Sequence, residues 1–353
     1  MPRAWHILAF ESTHAAMAAQ KLLAHLNPFV IPTPKAITAG CGMSLRMDAA
    51  AADEARLVLA GHPDIAGLSA WHLLEEGEGG MKCPAGFPTT GDDASMPTLA
   101  SAVVTQYAAD GSTSRETDDI QVEHTLDVYV NEVLAMRIVC TPDHLFDLVT
   151  GRLFTEGLID GPDDVESMGL ADASTRVNVR LRNREADLSR ATAQKVPTSS
   201  TTNQAFSSYF EDDKSLDKVV PIPWEPEWVF SLARQFAEDT PMHKRTSGSH
   251  SCYLAVRDEV LYCCEDLGRH NAFDKVIGCA LRDGVDLGNA IVFSSGRIPV
   301  DMVLKGIRSG VPILVSKAVP TDMTIRLAQR FDLTLICSAR PDSMKVFNDP
   351  LAR

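Results

Sequence analysis

No C-x-x-C pair occurs in these 353 residues, although eight cysteines are present, at positions 41, 83, 140, 252, 263, 264, 279 and 337. Structural zinc usually draws on such a pair and disulfide scaffolds on a denser set, so the expectation is reduced, mostly buried thiols and no structural metal. A basic surplus is absent too: 33 Lys and Arg stand against 47 Asp and Glu, a formal net charge of −14. A chain so acidic offers no general surface to nucleic acid or anionic lipid, which leaves room only for a local basic pocket around a small anion. Long apolar runs are also missing. Trp5 to Phe10 is broken by His6 and stopped by Glu11, too short for a signal segment and far below the ~20 residues of a membrane span, so the expected location is the cytoplasm. No internal repeat is evident.

What is present divides into three. Residues 1–76 order as βαββαβ: strands at Trp5–Phe10, Phe29–Ile31, Met43–Met47 and Leu68–Leu73, with a helix capped by Ser12 or Thr13 and a second over Ala49–Leu59, a pattern that predicts a ferredoxin-like domain. Residues 77–99 hold five glycines and three prolines, and over 77–120 acidic residues outnumber basic ones seven to two, so 77–120 reads as a flexible linker. From 121 to 353 strand and helix patterns return around a long loop, 183–225. After it, in the core 226–353, strands at Ala290–Ser294, Val311–Ser316 and Leu333–Ser338 alternate with helices at Asn271–Arg282, Val300–Arg308 and Thr321–Phe331, predicting an α/β core with a parallel sheet.

Two segments of that core suit an anion. In "SSGRIPVDMVLKG", Ser295 and Gly296 end a strand, Arg297 projects from the turn and Pro299 opens a helix, so free amides and a guanidinium face one point. In "EDLGRHNAFDK", Asp266, Arg269, His270 and Lys275 gather at another helix start, with Asn271 as its expected cap. Turns at the ends of adjacent strands define a ligand crevice. By contrast, His250-Ser251-Cys252 lacks the glutamate and the second cysteine pair of a zinc deaminase site, which argues against hydrolytic zinc. Cys41, between Gly40 and Gly42, sits on a turn that exposes its thiol.

Residues 121–353 resemble the formate dehydrogenase accessory family FdhD through "VNEVLAMRIVCTPDHLFDLVTGRLFTEGLI", "TSGSHSCYL", "EDLGRHNAFDKVIG", "SSGRIPVDMVLKGIRSGVPILVSKAVPT" and "TLICSARPDS". The resemblance implies a cytidine-deaminase-like fold without deaminase chemistry. It also implies a carrier-type sulfurtransferase acting on the molybdenum or tungsten bis-guanine-dinucleotide cofactor, with a cysteine desulfurase as donor and the formate dehydrogenase catalytic subunit as recipient. It assigns the GDP or GMP moiety to Gly268, Arg269, His270, Asn271, Ser295, Gly296 and Arg297, and to Ser338, Ala339, Arg340 and Ser343. In that last group only Arg340 matches the family pattern, which favours an aromatic at 338 and arginine at 343.

A larger departure lies in the long loop, where the family's Ser-Ser-Cys-Gly-x-Cys-type motif reads Ser199-Ser200-Thr201-Thr202-Asn203-Gln204. Neither threonine nor glutamine can hold a sulfane sulfur. Most of residues 4–74 look like the small Se/S carrier domain, whose glycine-flanked cysteine corresponds to Cys41, and a tethered carrier would replace the missing loop thiols. Cys252 and Cys264, expected beside the crevice, are reserve candidates. The competing readings are a thiol-independent chaperone of the guanine dinucleotide and, disfavoured by its missing ligands, a deaminase-like nucleotide hydrolase. A homodimer and the choice between sulfur and selenium stay open.

Overall fold

The computed structural model of the protein describes residues 4–10, 12–26, 28–32, 43–47, 49–75, 89–90, 96–172, 174–183 and 216–352. In its first part, β1 (Ala4–Phe10), α1 (Thr13–Leu22), β2 (Phe29–Pro32), β3 (Met43–Met47), α2 (Ala49–Ala60), the short α3 (Pro63–Ala66) and β4 (Ser69–Glu75) follow one another. The sheet runs β2-β3-β1-β4, antiparallel throughout. Ser12 caps α1 by accepting from the Ala15 amide at 3.2 Å, and helical spacing buries Ala16, Ala19 and Leu23 against Leu8, Phe10, Leu45 and Met47. Cys41 and residues 199–204 lie outside the described residues.

The linker reading of 77–120 is corrected over its second half. After β5 (Thr89–Thr90), β6 (Leu99–Tyr107) and β7 (Thr113–Gln121) form a regular antiparallel hairpin, from Leu99 opposite Gln121 to Tyr107 opposite Thr113. Its turn is held by the Asp110 carboxylate, which accepts from the Ser112 amide at 2.9 Å, and by Gly111 at φ +86°. Both faces are largely exposed, Val103 and Tyr107 included, so no buried face marks the strands; ladder pairing and an Asp119–Arg245 ion pair at 2.6 Å order them instead. Residues 77–88 are outside the described residues.

Next come β8 (His124–Val130), β9 (Val133–Cys140), α4 (Leu145–Thr155), β10 (Val165–Ala171) and β11 (Arg176–Leu181). They form a sheet of order β5-β10-β11-β8-β9, whose inward residues Leu126, Val128, Val130 and Val177 pack on Leu145, Leu148, Val149 and Leu153 of α4.

The last part holds α5 (Pro226–Ala237), α6 (Pro241–Thr246), β12 (His250–Val256), β13 (Glu259–Asp266), α7 (Arg269–Arg282), β14 (Ala290–Ser294), α8 (Val300–Arg308), β15 (Ile313–Ser316), α9 (Asp322–Arg330), β16 (Thr334–Cys337) and β17 (Lys345–Asn348). Its sheet runs β13-β12-β14-β15-β16-β17. Only β14, β15 and β16 are mutually parallel; β12, β13 and β17 join antiparallel, so the sheet is mixed where a parallel one was expected. The all-buried runs of β14, β15 and β16 show why: each is covered on both faces, by Val276, Met302 and Leu327 on one and by Val229, Leu232 and Phe236 on the other.

The first part is docked on the last rather than merely tethered to it. Arg46 of β3, 8% exposed, pairs with Asp283 at 3.1 Å and lies 4.9 Å from the Tyr262 ring centroid. The Tyr262 hydroxyl donates to the same carboxylate at 2.7 Å.

Candidate functional site

The post of the site is the carboxylate of Asp266, fully buried at the end of β13. It accepts from the amides of Thr141 (3.0 Å) and Gly268 (2.9 Å) and from Asn271 Nδ2 (2.8 Å), and it pairs with Lys275 Nζ at 2.8 Å. Lys275 also donates to Asp143 and to the Thr141 and Glu265 carbonyls. Burial alone would lower the lysine pKa, yet the Asp143 and Asp266 carboxylates outweigh it and hold the ammonium charged. Asn271 is therefore not the helix cap. Gly268 occupies that position, and Asn271 lies inside α7, where its amide also donates to the Val139 carbonyl at 2.8 Å.

This post fixes the start of α7, and with it Arg269 and His270. A Cβ on Gly296 would lie 2.8 Å from Arg269 Cδ, so only glycine lets the β14 turn close over that side chain. His270 is fully buried with Nε2 2.6 Å from Asp301 Oδ2, while its Nδ1, Arg269 Nε and Asn271 Oδ1 are buried without a partner. Unpaired buried polar atoms side by side are what a bound ligand would satisfy. The Ser295 amide donates to the Ser251 carbonyl at 2.9 Å, and Ser295 Oγ accepts from the Ser251 amide at 3.0 Å and stands 3.4 Å from His250 Nδ1. Burial lowers the His250 pKa, and the neighbouring Arg269 guanidinium lowers it further, so basic groups gather at this strand end in an acidic chain.

The structure brings the remaining candidates to the same rim. Ser316 Oγ donates to the Gly296 carbonyl at 2.7 Å, and the Ser316 carbonyl accepts from the Ala339 amide at 3.0 Å. Ser338, at φ +52°, turns the chain, and Arg340 Nη1 donates to the Lys317 carbonyl at 2.6 Å. Gly268 to Asn271, Ser295 to Arg297 and Ser338 to Arg340 thus follow the ends of β13, β14 and β16, which lie along one edge of the sheet with β12 and β15 between them, so the strands they follow are not the adjacent ones expected. Arg297 is exposed beyond Arg269, and Ser343 is exposed, its carbonyl accepting from the Arg340 amide. Asp301 and His250 are the members that motif reading passed over; Asp301 sits two residues beyond the proline in "GRIPVD", in the first turn of α8.

The thiols divide differently from expectation. Cys252 is fully buried within β12, not beside the crevice, and burial pushes its thiol well above the ordinary cysteine range. Strand alternation explains the error, because it turns position 252 into the core beneath the sheet. Cys264 is 3% exposed and also faces inward, 4.0 Å from Cys279. Burial raises Cys337 to about 12. These are poor nucleophiles as they stand.

Two family models match the chain: FdhD/NarQ over residues 121–352 and Se/S carrier protein-like over residues 6–65. The chain belongs to the FdhD/NarQ family. A sulfur carrier protein FdhD of Listeria innocua is 31% identical over 232 residues, 65% of this chain and 89% of that protein. The Bacillus subtilis protein of the same name is 30% identical over 242 residues, 68% and 92% respectively. The crystal structure of a candidate formate dehydrogenase accessory protein from Desulfotalea psychrophila shares the fold with a TM-score of 0.56 at 24% identity, over 72% of this chain and 98% of that one. No helix among the described residues is long and apolar enough to cross a membrane.

Proposed function

We propose that this chain is a carrier-type sulfurtransferase serving formate dehydrogenase maturation. It would hold the guanine dinucleotide of the molybdenum or tungsten cofactor in the crevice, and receive sulfur on Cys41 of the docked first domain. The observation that carries the nucleotide part is the set of buried, unpartnered atoms on the successive residues Arg269, His270 and Asn271, with the Arg269 guanidinium close enough to His250 to lower its pKa. The names of the relatives support the sulfur part, and the sheet order β13-β12-β14-β15-β16 supports the cytidine-deaminase-like core. In the loading step the Cys41 thiolate attacks the outer sulfur of a desulfurase persulfide. The sulfur–sulfur bond to the desulfurase breaks, its thiolate leaves and takes up a proton, and Cys41 becomes the persulfide without an external oxidant.

Mass spectrometry after incubation with a cysteine desulfurase and cysteine tests this reading. One sulfur should be added at Cys41, and Cys41→Ser should abolish both the addition and formate dehydrogenase maturation while leaving GDP affinity unchanged. Arg269→Ala should do the converse, keeping the sulfur and weakening GDP binding about ten- to a hundredfold, the loss of one charge-assisted contact. Full maturation with Cys41→Ser would leave a thiol-independent chaperone of the dinucleotide.

A further inference from the structure

We propose that His144, Asp147, Cys264 and Cys279 form a buried tetrahedral site for a divalent metal of the zinc class, behind the nucleotide crevice where α4, α7 and β13 meet. The ligand atoms of His144, Asp147 and Cys279 lie within 4.8 Å of one another. His144 Nδ1 is 3.2 Å and Cys279 Sγ 3.4 Å from the same oxygen, Asp147 Oδ2, and Cys264 Sγ is 4.0 Å from Cys279 Sγ. A tetrahedron built on metal–nitrogen and metal–oxygen bonds of about 2.0 Å and metal–sulfur bonds of about 2.3 Å has edges of roughly 3.3–3.8 Å. The two approaches to Asp147 Oδ2 therefore have the size of coordination-shell edges with a few tenths of an ångström to close, whereas Cys264 stands outside the group of three and completes the shell only when its side chain swings further in.

Charge and the hydrogen bonds around the ligands agree. Two thiolates, one carboxylate and a divalent ion leave one negative charge, and the protons of the two thiols pass to solvent. Arg282 supplies the balancing cation, its Nη1 at 2.7 Å from Asp147 Oδ1 and Oδ2; it can stay on Oδ1 while the metal takes Oδ2. His144 stands immediately before α4 at φ +50°, ψ +38°, a left-handed conformation that histidine adopts more readily than most side chains. An approach exists as well. His144 and Cys264 line a cavity of about 470 Å³ walled by Met17, Lys21 and Met242, between the first domain and the core. Four protein ligands leave no open position, so the ion would be structural, clamping the start of α4 to α7 and to the edge strand β13.

The site needs neither Cys41 nor the nucleotide crevice, so its test stands apart from the function proposed above. The reduced, chelator-treated full chain is titrated with cobalt(II), and zinc(II) is then added to displace it. One equivalent should give the intense visible bands of tetrahedral cobalt with a thiolate charge-transfer band, and zinc should raise the unfolding temperature. Cys279→Ser should remove the charge-transfer contribution of one thiolate and weaken binding at least about tenfold. His144→Asn, a residue that tolerates the left-handed backbone, should weaken it similarly in a variant that keeps both cysteines. No tetrahedral spectrum, unchanged binding in both variants, or loss of binding on Cys41→Ser instead would overturn the proposal.

Discussion

His270 shows how a single side chain can be aimed by its surroundings. Burial lowers its pKa most strongly, Lys305 and Arg269 push the same way, and the Asp301 carboxylate opposes them without prevailing, so the ring is neutral. Asp301 in turn is raised by burial but brought below the ordinary carboxylate value by His270 and Arg269. Both groups bind fewer protons in the folded state than in the unfolded one, so the stability they contribute falls as pH drops, first through the imidazole range near about 6.5 and then through the carboxylate range near about 4, with the raised His144, Glu265 and Asp266 acting in the opposite direction. Urea unfolding between pH 7 and pH 5 should show this decline, and His270→Gln, which cannot titrate, should show less of it. An equal decline in the variant would mean that His270 is not the group responsible.

Helix α7 crosses α4 so closely that each supplies a glycine. A Cβ on Gly278 would lie 1.9 Å from the Asp147 carbonyl oxygen, and one on Gly151 would lie 1.9 Å from that of Asp274. Beside this contact Asp274 takes bonds from Lys305 (2.7 Å), Arg152 (3.2 Å) and Thr155 (2.8 Å), all buried, so the helices are fixed in rotation as well as distance. Gly278→Ala should therefore cost at least about 1–3 kcal/mol in denaturant unfolding, whereas Gly161→Ala, with nothing within 4 Å, should be near neutral. Elements like these separate what the sequence discloses from what it hides. "AIVFS" reads as a buried strand and is one, and Val300–Arg308 is a helix with the bounds its pattern predicts. The β6–β7 hairpin is exposed on both faces and β17 is only four residues long, so neither has the buried alternation by which a strand is recognised from its pattern. The crevice segments were legible because glycine, arginine and proline mark a turn; Asp301 and His250 matter only through residues distant in sequence, as do the positions of Cys252 and Cys264.

At the scale of the whole molecule, the first domain is held by a nearly buried ion pair, Arg46 with Asp283, backed by Tyr262. Removing one partner of such a pair leaves a stranded charge and costs roughly 3–5 kcal/mol, enough to release a docked domain. Arg46→Ala should raise hydrogen exchange along β13 (Glu259–Asp266) and split one calorimetric unfolding transition into two. Protection and cooperativity like those of the wild type would show that other contacts suffice. β2 is also in contact with β13, one of the two outermost strands of the six-stranded sheet. An outermost strand presents a row of amides and carbonyls that a second chain can pair with. The docked domain therefore doubles as a guard against self-association: while it is seated, the core meets its neighbours with a covered flank, and whatever frees it to travel also makes the core adhesive.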